Sequence, residues 1–354
     1  MSRTTKNYSS QSHLKGVAVL LLALLAIAPL SGCGPEKGAE TETLRVGLAL
    51  YTQDDTFIST IVQDLERIAQ EEELARDIKI NLSVADGRSN QTTQLEQVDR
   101  LITWGCDVLC VNIVDRTAAA VLIDKAEEAG VPLIFFNRQP VAEDMERWDQ
   151  LYYVGARAEE GGILQGQLVL KAWLSDRERL DKNGDGILQY VMLEGEPGHQ
   201  DALLRTEYSI QVLSEAGVEL EKLGSDTGNW KRGPAATKMG QWLEEFGDQI
   251  EAVIANNDDM ALGAIDAYGQ TDWELPLVVG VDATAPALQA VAEGTLYGTV
   301  LNDAEGIARA MLDLTLALSG VKDSGDTVEL TGDHYVWLSY QKVTKENLAD
   351  FQME

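Results

Sequence analysis

Between residues 44 and 319 short apolar runs alternate with amphipathic stretches, and the series runs through twice. The first series opens with a strand at 44–50. A helix follows at 57–73, where Phe57, Ile61, Leu65 and Ile68 recur at helical spacing with Ile58, Val62 and Ala69 on the same face. Asp54, Asp55 and Thr56 stand where its cap belongs. Strands at 78–85, 108–113 and 131–136 then alternate with helices at 91–103 and 118–129. The second series places strands at 151–154, 188–193, 218–223, 252–255, 277–281 and 296–301. Its helices are at 159–173, 203–216, 235–246, 259–268, 285–293 and 304–319. Strands separated by helices make parallel βαβ units. The expected fold is therefore α/β: two lobes, each on a doubly wound, mostly parallel sheet, with a cleft between them.

Open sheets of this kind bind ligands beyond the carboxyl ends of their strands. The residues at those ends are polar: Tyr51 and Asp55, Asn112, Asn137, the stretch 195–199, Asn256 and Asn257, Asp282, and Asn302. Their number points to a polar ligand held between the lobes.

The amino terminus gives an address. Arg3, Lys6 and Lys15 form a basic start without an acid, an apolar run covers 16–30, and Ser31-Gly32-Cys33 follows. The run is short for a membrane span, which needs about 20 apolar residues, and its layout is that of a secretory signal. Leu30-Ser31-Gly32-Cys33 also resembles a bacterial lipobox, in which the cysteine is acylated and becomes the first residue. Residues 1–32 are thus expected to be removed, leaving the protein outside the cytoplasm and attached to the membrane through lipid on Cys33. Residues 34–43 hold no large apolar side chain and read as a flexible tether.

The chain carries 28 Lys and Arg against 58 Asp and Glu, a net charge of −30, and loss of the basic leader makes it more acidic still. Such a surface repels phosphate backbones, so nucleic acid is a poor partner. Cys106 and Cys110 would lie about 13 Å apart on one strand face, at about 3.3 Å per residue. That is too far for a disulfide, and they read as buried free thiols. His199 and His334 are the histidines beyond the leader, too few for a His-rich metal site.

A second motif is Asp181-Lys-Asn-Gly-Asp-Gly-Ile-Leu-Gln189, the front of an EF-hand-like loop. Asp181, Asn183 and Asp185 supply oxygens at positions one, three and five, Gly186 makes the turn, and the Ile187 carbonyl and Gln189 take positions seven and nine. The usual glutamate at position twelve is missing, since Met192 stands there, and a strand rather than a helix follows. The oxygen-rich set suits calcium and disfavours zinc.

Several segments go beyond general pattern. They are 50–57 (Leu-Tyr-Thr-Gln-Asp-Asp-Thr-Phe), 111–115 (Val-Asn-Ile-Val-Asp), 195–205 (Gly-Glu-Pro-Gly-His-Gln-Asp-Ala-Leu-Leu-Arg), 253–258 (Val-Ile-Ala-Asn-Asn-Asp), 279–283 (Val-Gly-Val-Asp-Ala) and 299–303 (Thr-Val-Leu-Asn-Asp). In order and spacing they resemble the galactose/glucose-binding branch of the type I periplasmic binding protein family, over nearly all of residues 44–351. The resemblance implies two lobes joined by three crossovers, near 138–140, 302–303 and 335. The amino-terminal lobe would then take 44–138 plus 303–335, and the carboxyl-terminal lobe 139–302 plus 336–354. It implies hinge closure around D-galactose or D-glucose and delivery to the permease of an ABC importer. Asp55, Asn112, His199, Asp201, Arg205, Asn257, Asp282 and Asn302 would hydrogen-bond the sugar. Phe57 and Trp230 would stack on its faces, and Tyr51 would lie near the cleft mouth. Thr56 and Gln200 depart from the family pattern at positions away from direct contact. The resemblance also supplies Glu251 as the distant residue completing the calcium cage.

The chemistry of a pyranose agrees. Its hydroxyls suit carboxylates and amides around the rim, and its C–H faces suit aromatic rings. Singly, each residue has an ordinary role: Asp55 a helix cap, Asp201 and Arg205 a surface pair four apart, Trp230 a core residue. A glycoside hydrolase would use paired carboxylates, but no motif singles out such a pair. A sugar-responsive transcription regulator would need a DNA-binding segment where the leader stands. A sensing role, with a chemoreceptor as partner, would use the same binding site. The expectation is a binding protein, not an enzyme.

Overall fold

The computed structural model describes residues 42–321 and 328–351. The first sheet begins with β1 (Thr43–Leu50), α1 (Thr56–Arg76), β2 (Lys79–Asp86), α2 (Gln91–Trp104), β3 (Val108–Val111), α3 (Ala119–Ala129), β4 (Leu133–Phe136), the short α4 (Ala142–Met145) and β5 (Leu151–Ala156). The second contains, in chain order, α5 (Ala158–Ser175), the short α6 (Arg177–Leu180), β6 (Ile187–Glu194), α7 (Gln200–Glu215), β7 (Glu219–Thr227), α8 (Arg232–Phe246), β8 (Ala252–Ala255), α9 (Asp258–Tyr268), β9 (Leu277–Val279), α10 (Ala285–Glu293) and β10 (Gly298–Leu301). The chain closes with α11 (Ala304–Ser319), β11 (Tyr335–Leu338) and β12 (Gln341–Thr344).

The two six-stranded sheets have the orders β11-β5-β4-β3-β1-β2 and β12-β10-β9-β8-β6-β7. Every strand pairing is parallel except β10 with β12. The central strands β3, β4, β8 and β9 are buried throughout, as a parallel sheet covered on both faces requires. In the first lobe, Ile58, Ile61, Leu65 and Ile68 of α1 and Ile307, Met311 and Leu314 of α11 form one core with Leu48, Cys110 and Phe136 of the sheet. Cys106 and Cys110 are buried and free, and burial pushes their thiols up to about 11 and about 12.

Two of the expected crossovers move. β5 pairs with β4 in the first sheet, so the chain leaves the first lobe near 157, not at 138–140, and 139–156 belongs to that lobe. The apolar run at 151–154 opens no new series, because its partners are β4 on one side and β11 on the other. β11 pairs with β5 and β12 with β10, so the last crossover lies at residues 339–340 rather than near 335. Residues 336–338 thus belong to the first lobe. Between β10 and α11 the chain returns across Asn302 and Asp303. β11 and β12 escape an alternation reading because no helix separates them.

Candidate functional site

The strands of both sheets end at the cleft, and the helices that follow begin there, so cap residues become lining residues. Asp55 caps α1, accepting from the Ile58 N–H at 2.9 Å. Asn257 caps α9 through the Met260 N–H at 3.0 Å. His199 caps α7, its Nδ1 accepting from the Asp201 N–H at 3.1 Å. A ring that accepts at Nδ1 carries its proton on Nε2 and is neutral, and burial holds its pKa well below the ordinary range.

Around these caps lies a small pocket, partly open to solvent. Asp55, Phe57, His199, Asp201, Arg205, Trp230, Asn257 and Asp282 all line it. Asn112 and Asn302 stand one hydrogen bond behind. Asn112 Nδ2 donates to Asn137 Oδ1 at 3.1 Å, and Asn302 Nδ2 to Asp282 Oδ1 at 3.3 Å. The pocket also takes in Tyr51, which is buried and donates from its hydroxyl to Asp55. Burial and the Asp55 charge push that hydroxyl far up.

Arg205 organises the charges. Its guanidinium is buried and donates to the Asn256 carbonyl at 2.9 Å, the Tyr340 hydroxyl at 3.0 Å and Asp201 at 3.3 Å, with Asp282 at 3.7 Å. The i, i+4 pair with Asp201 is thus an interior pair, not a surface one. Burial raises the carboxyl pKa of Asp201 and, more strongly, that of Asp282, while Arg205 opposes both shifts. Among the described residues, four buried polar atoms in or behind the pocket have no protein partner: Arg205 Nε, Trp230 Nε1, Asn112 Oδ1 and Asn302 Oδ1. Unsatisfied buried groups are rare in folded proteins, and a polar ligand would supply partners here.

Trp230 packs edge-on against His199 with ring centroids 5.1 Å apart, and it belongs to the second lobe's core as well as to the pocket wall. Its backbone is left-handed at φ 64°, as is that of Asn137 at 59°, while Asp282 stands at φ 116°. Such conformations cost about 1–3 kcal/mol each and cluster where a side chain must be aimed. Among the lining residues, Arg138 and Ile58 were not expected. Arg138 follows β4 and looks like an ordinary surface cation in the sequence; nothing local marks it as buried.

A second candidate site is the loop before β6. Gly184 and Gly186 adopt φ 74° and 83°, and Asp181, Asn183 and Asp185 turn their oxygens onto the N–H groups of Gly186, Asp185 and Ile187. Glu251 is 1 % exposed and stands immediately before β8, pairing with the loop and the start of β6 through the Lys182 and Gln189 N–H groups at 2.7 and 3.0 Å. Burial raises its carboxyl pKa, and the charges of Asp181 and Asp185 add to the shift. Asp181 Oδ1 is buried without a partner. Among the described residues no three His, Cys, Asp or Glu groups suffice for a metal, so a cation here would also need Asn183, Gln189 and the Ile187 carbonyl. That oxygen set fits a hard cation.

Comparison with known proteins decides the family. A family model described as "Periplasmic binding protein domain" matches residues 46–322. The chain belongs to the periplasmic binding protein family. It is 38% identical over 341 residues to the D-galactose/methyl-galactoside binding periplasmic protein of Haemophilus influenzae, covering 96% of this chain and 99% of the relative. It is 33% identical to a putative rhizopine-binding protein of Rhizobium meliloti, covering 89% and 94%. Among solved structures it resembles an ABC transporter solute-binding protein of Bacillus halodurans with bound myo-inositol, at TM-score 0.69 and 28% identity over 88% of this chain and 98% of that one. Members of this family bind solutes and are not enzymes, and the family works outside the cytoplasm. Among the described residues no helix is long and apolar enough to cross a membrane. Cys33 and the leader lie outside the described residues.

Proposed function

We propose that this protein captures D-galactose or D-glucose by closing its two lobes and delivers the sugar to the permease of an ABC importer. The observation that carries this is the composition of one pocket. Three carboxylates, an arginine, an asparagine, a neutral histidine and two aromatic residues, all expected of a hexose site, line a single cavity fed by both lobes. Asp55, Asp201 and Asp282 would accept from sugar hydroxyls, and Arg205 and His199 Nε2 would donate. Phe57 and Trp230 would cover the C–H faces. The relative that binds galactose and methyl-galactoside supports the choice of hexose.

A cyclitol is the second reading, favoured by the rhizopine-binding relative and the myo-inositol complex. Calorimetric titration with D-galactose, D-glucose, D-ribose, L-arabinose and myo-inositol decides between them. A hexose Kd of about 1 μM, about −8 kcal/mol, is expected, with pentoses and myo-inositol far weaker. Heat from myo-inositol and none from either hexose would replace the first reading by the second.

Two attributes accompany the proposal. Calcium would be held by Asp181, Asn183, Asp185, the Ile187 carbonyl, Gln189 and Glu251, supplying positive charge that joins the loop to the residue preceding β8. Lipid on Cys33 would hold the protein at the membrane, and Cys33→Ala would move it to the soluble fraction.

A further inference from the structure

Among the described residues, four side-chain hydrogen bonds span the cleft from one lobe to the other. Thr56 donates to Asp259 at 2.7 Å, Lys231 to Asp54 at 3.0 Å, Gln200 to Gln139 at 3.4 Å and Arg138 to Glu196 at 2.8 Å. They are not equal. The Lys231 and Asp54 side chains are 49% and 84% exposed, where water and salt leave an ion pair worth little. The glutamine pair is neutral and long. The side chain of Arg138, by contrast, is only 5% exposed, and among the described residues Glu196 is its one ion-pair partner.

The remaining contacts of Arg138 stay within its own lobe. It donates to the Val114 carbonyl at 3.2 Å, and its guanidinium lies 3.5 Å from the centre of the Tyr51 ring. The Tyr51 hydroxyl in turn donates to Asp55. A chain of contacts therefore runs from Glu196 in the second lobe through Arg138 and Tyr51 to a carboxylate of the ligand pocket. Parting the lobes takes the carboxylate away from the guanidinium, which in the closed arrangement is the more buried of the two groups. Shutting them restores the pair.

We propose that Arg138 and Glu196 form a latch across the cleft, which sets how tightly the closed protein holds its ligand. The latch rests on the reading above that ligand is captured by lobe closure. Its effect on binding is a matter of populations. Apparent affinity scales with the fraction of protein in the competent closed state, so a contact made only on closure strengthens every ligand by one factor. A contact to the ligand itself would alter preference among ligands instead. Glu196 does not line the sugar pocket, so it tests the population effect cleanly.

Glu196→Gln keeps an acceptor and removes the charge. Calorimetry and stopped-flow fluorescence on this variant are expected to show affinity down about 3- to 30-fold, by the same factor for each sugar that the wild type binds. Release should be faster and association unchanged. Arg138→Met should weaken binding further, and adding Glu196→Gln to it should change nothing more. A merely structural role for Glu196 would lower the thermal midpoint of the sugar-free protein and leave release untouched. A loss that differs between sugars, or no loss at all, overturns the latch. If the wild type binds none of the sugars, the transport reading falls, and the latch is decided in sugar-free protein by distances between spin labels on the two lobes. There Glu196→Gln must deplete the short-distance population, and equal distributions in wild type and variant overturn it.

Discussion

Gly195 is where a single carbon tests the sugar pocket. It follows β6, and a Cβ built on it falls 2.5 Å from Trp230 Cε2 and closer still to Cζ2 and Cη2. Carbon atoms pack at about 3.5–4.0 Å, so Gly195→Ala forces the indole to move by at least about 1 Å. Its φ is not in the left-handed region, so the substitution strains contacts and not the backbone. The ring is held in place by His199 and by a backbone at φ 64°, and it lines the pocket. An aromatic contact of this kind is worth about 0.5–1.5 kcal/mol beyond burial, so misplacing it should weaken sugar about 2- to 12-fold. Trp230→Ala should cost a similar amount. The decisive assay is a double-mutant cycle by calorimetry. If Gly195→Ala acts through the ring, it costs nothing once Trp230 is alanine, since residues in contact are not additive. Equal cost in both backgrounds refutes the reasoning, as does an intrinsic fluorescence change on sugar binding that is identical in Gly195→Ala and wild type.

Other expectations follow from the same geometry. Asp282→Asn removes a buried carboxylate beside Arg205 while tolerating φ 116°, and should weaken the hexose more than Trp230→Ala does, about 10- to 100-fold by calorimetry. Glu251→Gln should lower the thermal midpoint at moderate calcium, and a chelator should do the same to wild type; a midpoint unmoved by both would leave the loop without a metal. Asp258 accepts from the Thr284 N–H and from the Thr284 and Thr299 hydroxyls, and burial pushes its carboxyl up to about 7. Since the unfolded value is about 3.9, the folded protein holds this proton more tightly. The stability it contributes is complete below about pH 4 and lost as pH rises through about 7. Wild type should therefore lose more stability than Asp258→Asn between those values in thermal melts. Parallel profiles for the two proteins would count against a protonated Asp258.

Much of the site could be read in advance because strand ends and helix caps are local features. Asp55, Asn257 and His199 occupy cap positions that the pattern of apolar residues already outlines, and a parallel sheet sends all such positions to one edge. The two strands β11 and β12 were not legible, because they are short, lack a helix between them and gain their meaning from β5 and β10. The lobe boundary moved for the same reason. The run at 151–154 looks like the start of a second series until its partners β4 and β11 are known.

The sequence alone determined the α/β alternation, the polar strand ends and the loop at 181–189, since each depends on residues a few positions apart. Tertiary structure decided which groups meet. It buried Arg205 between Asp201 and Asp282, brought Glu251 to a loop more than sixty residues earlier, and set Arg138 against Glu196 across the cleft. It also chose the left-handed backbone that aims Trp230. These are properties of burial and of long-range packing, where the cost of an unpaired charge depends on what the rest of the chain places beside it; no local window of sequence contains that information.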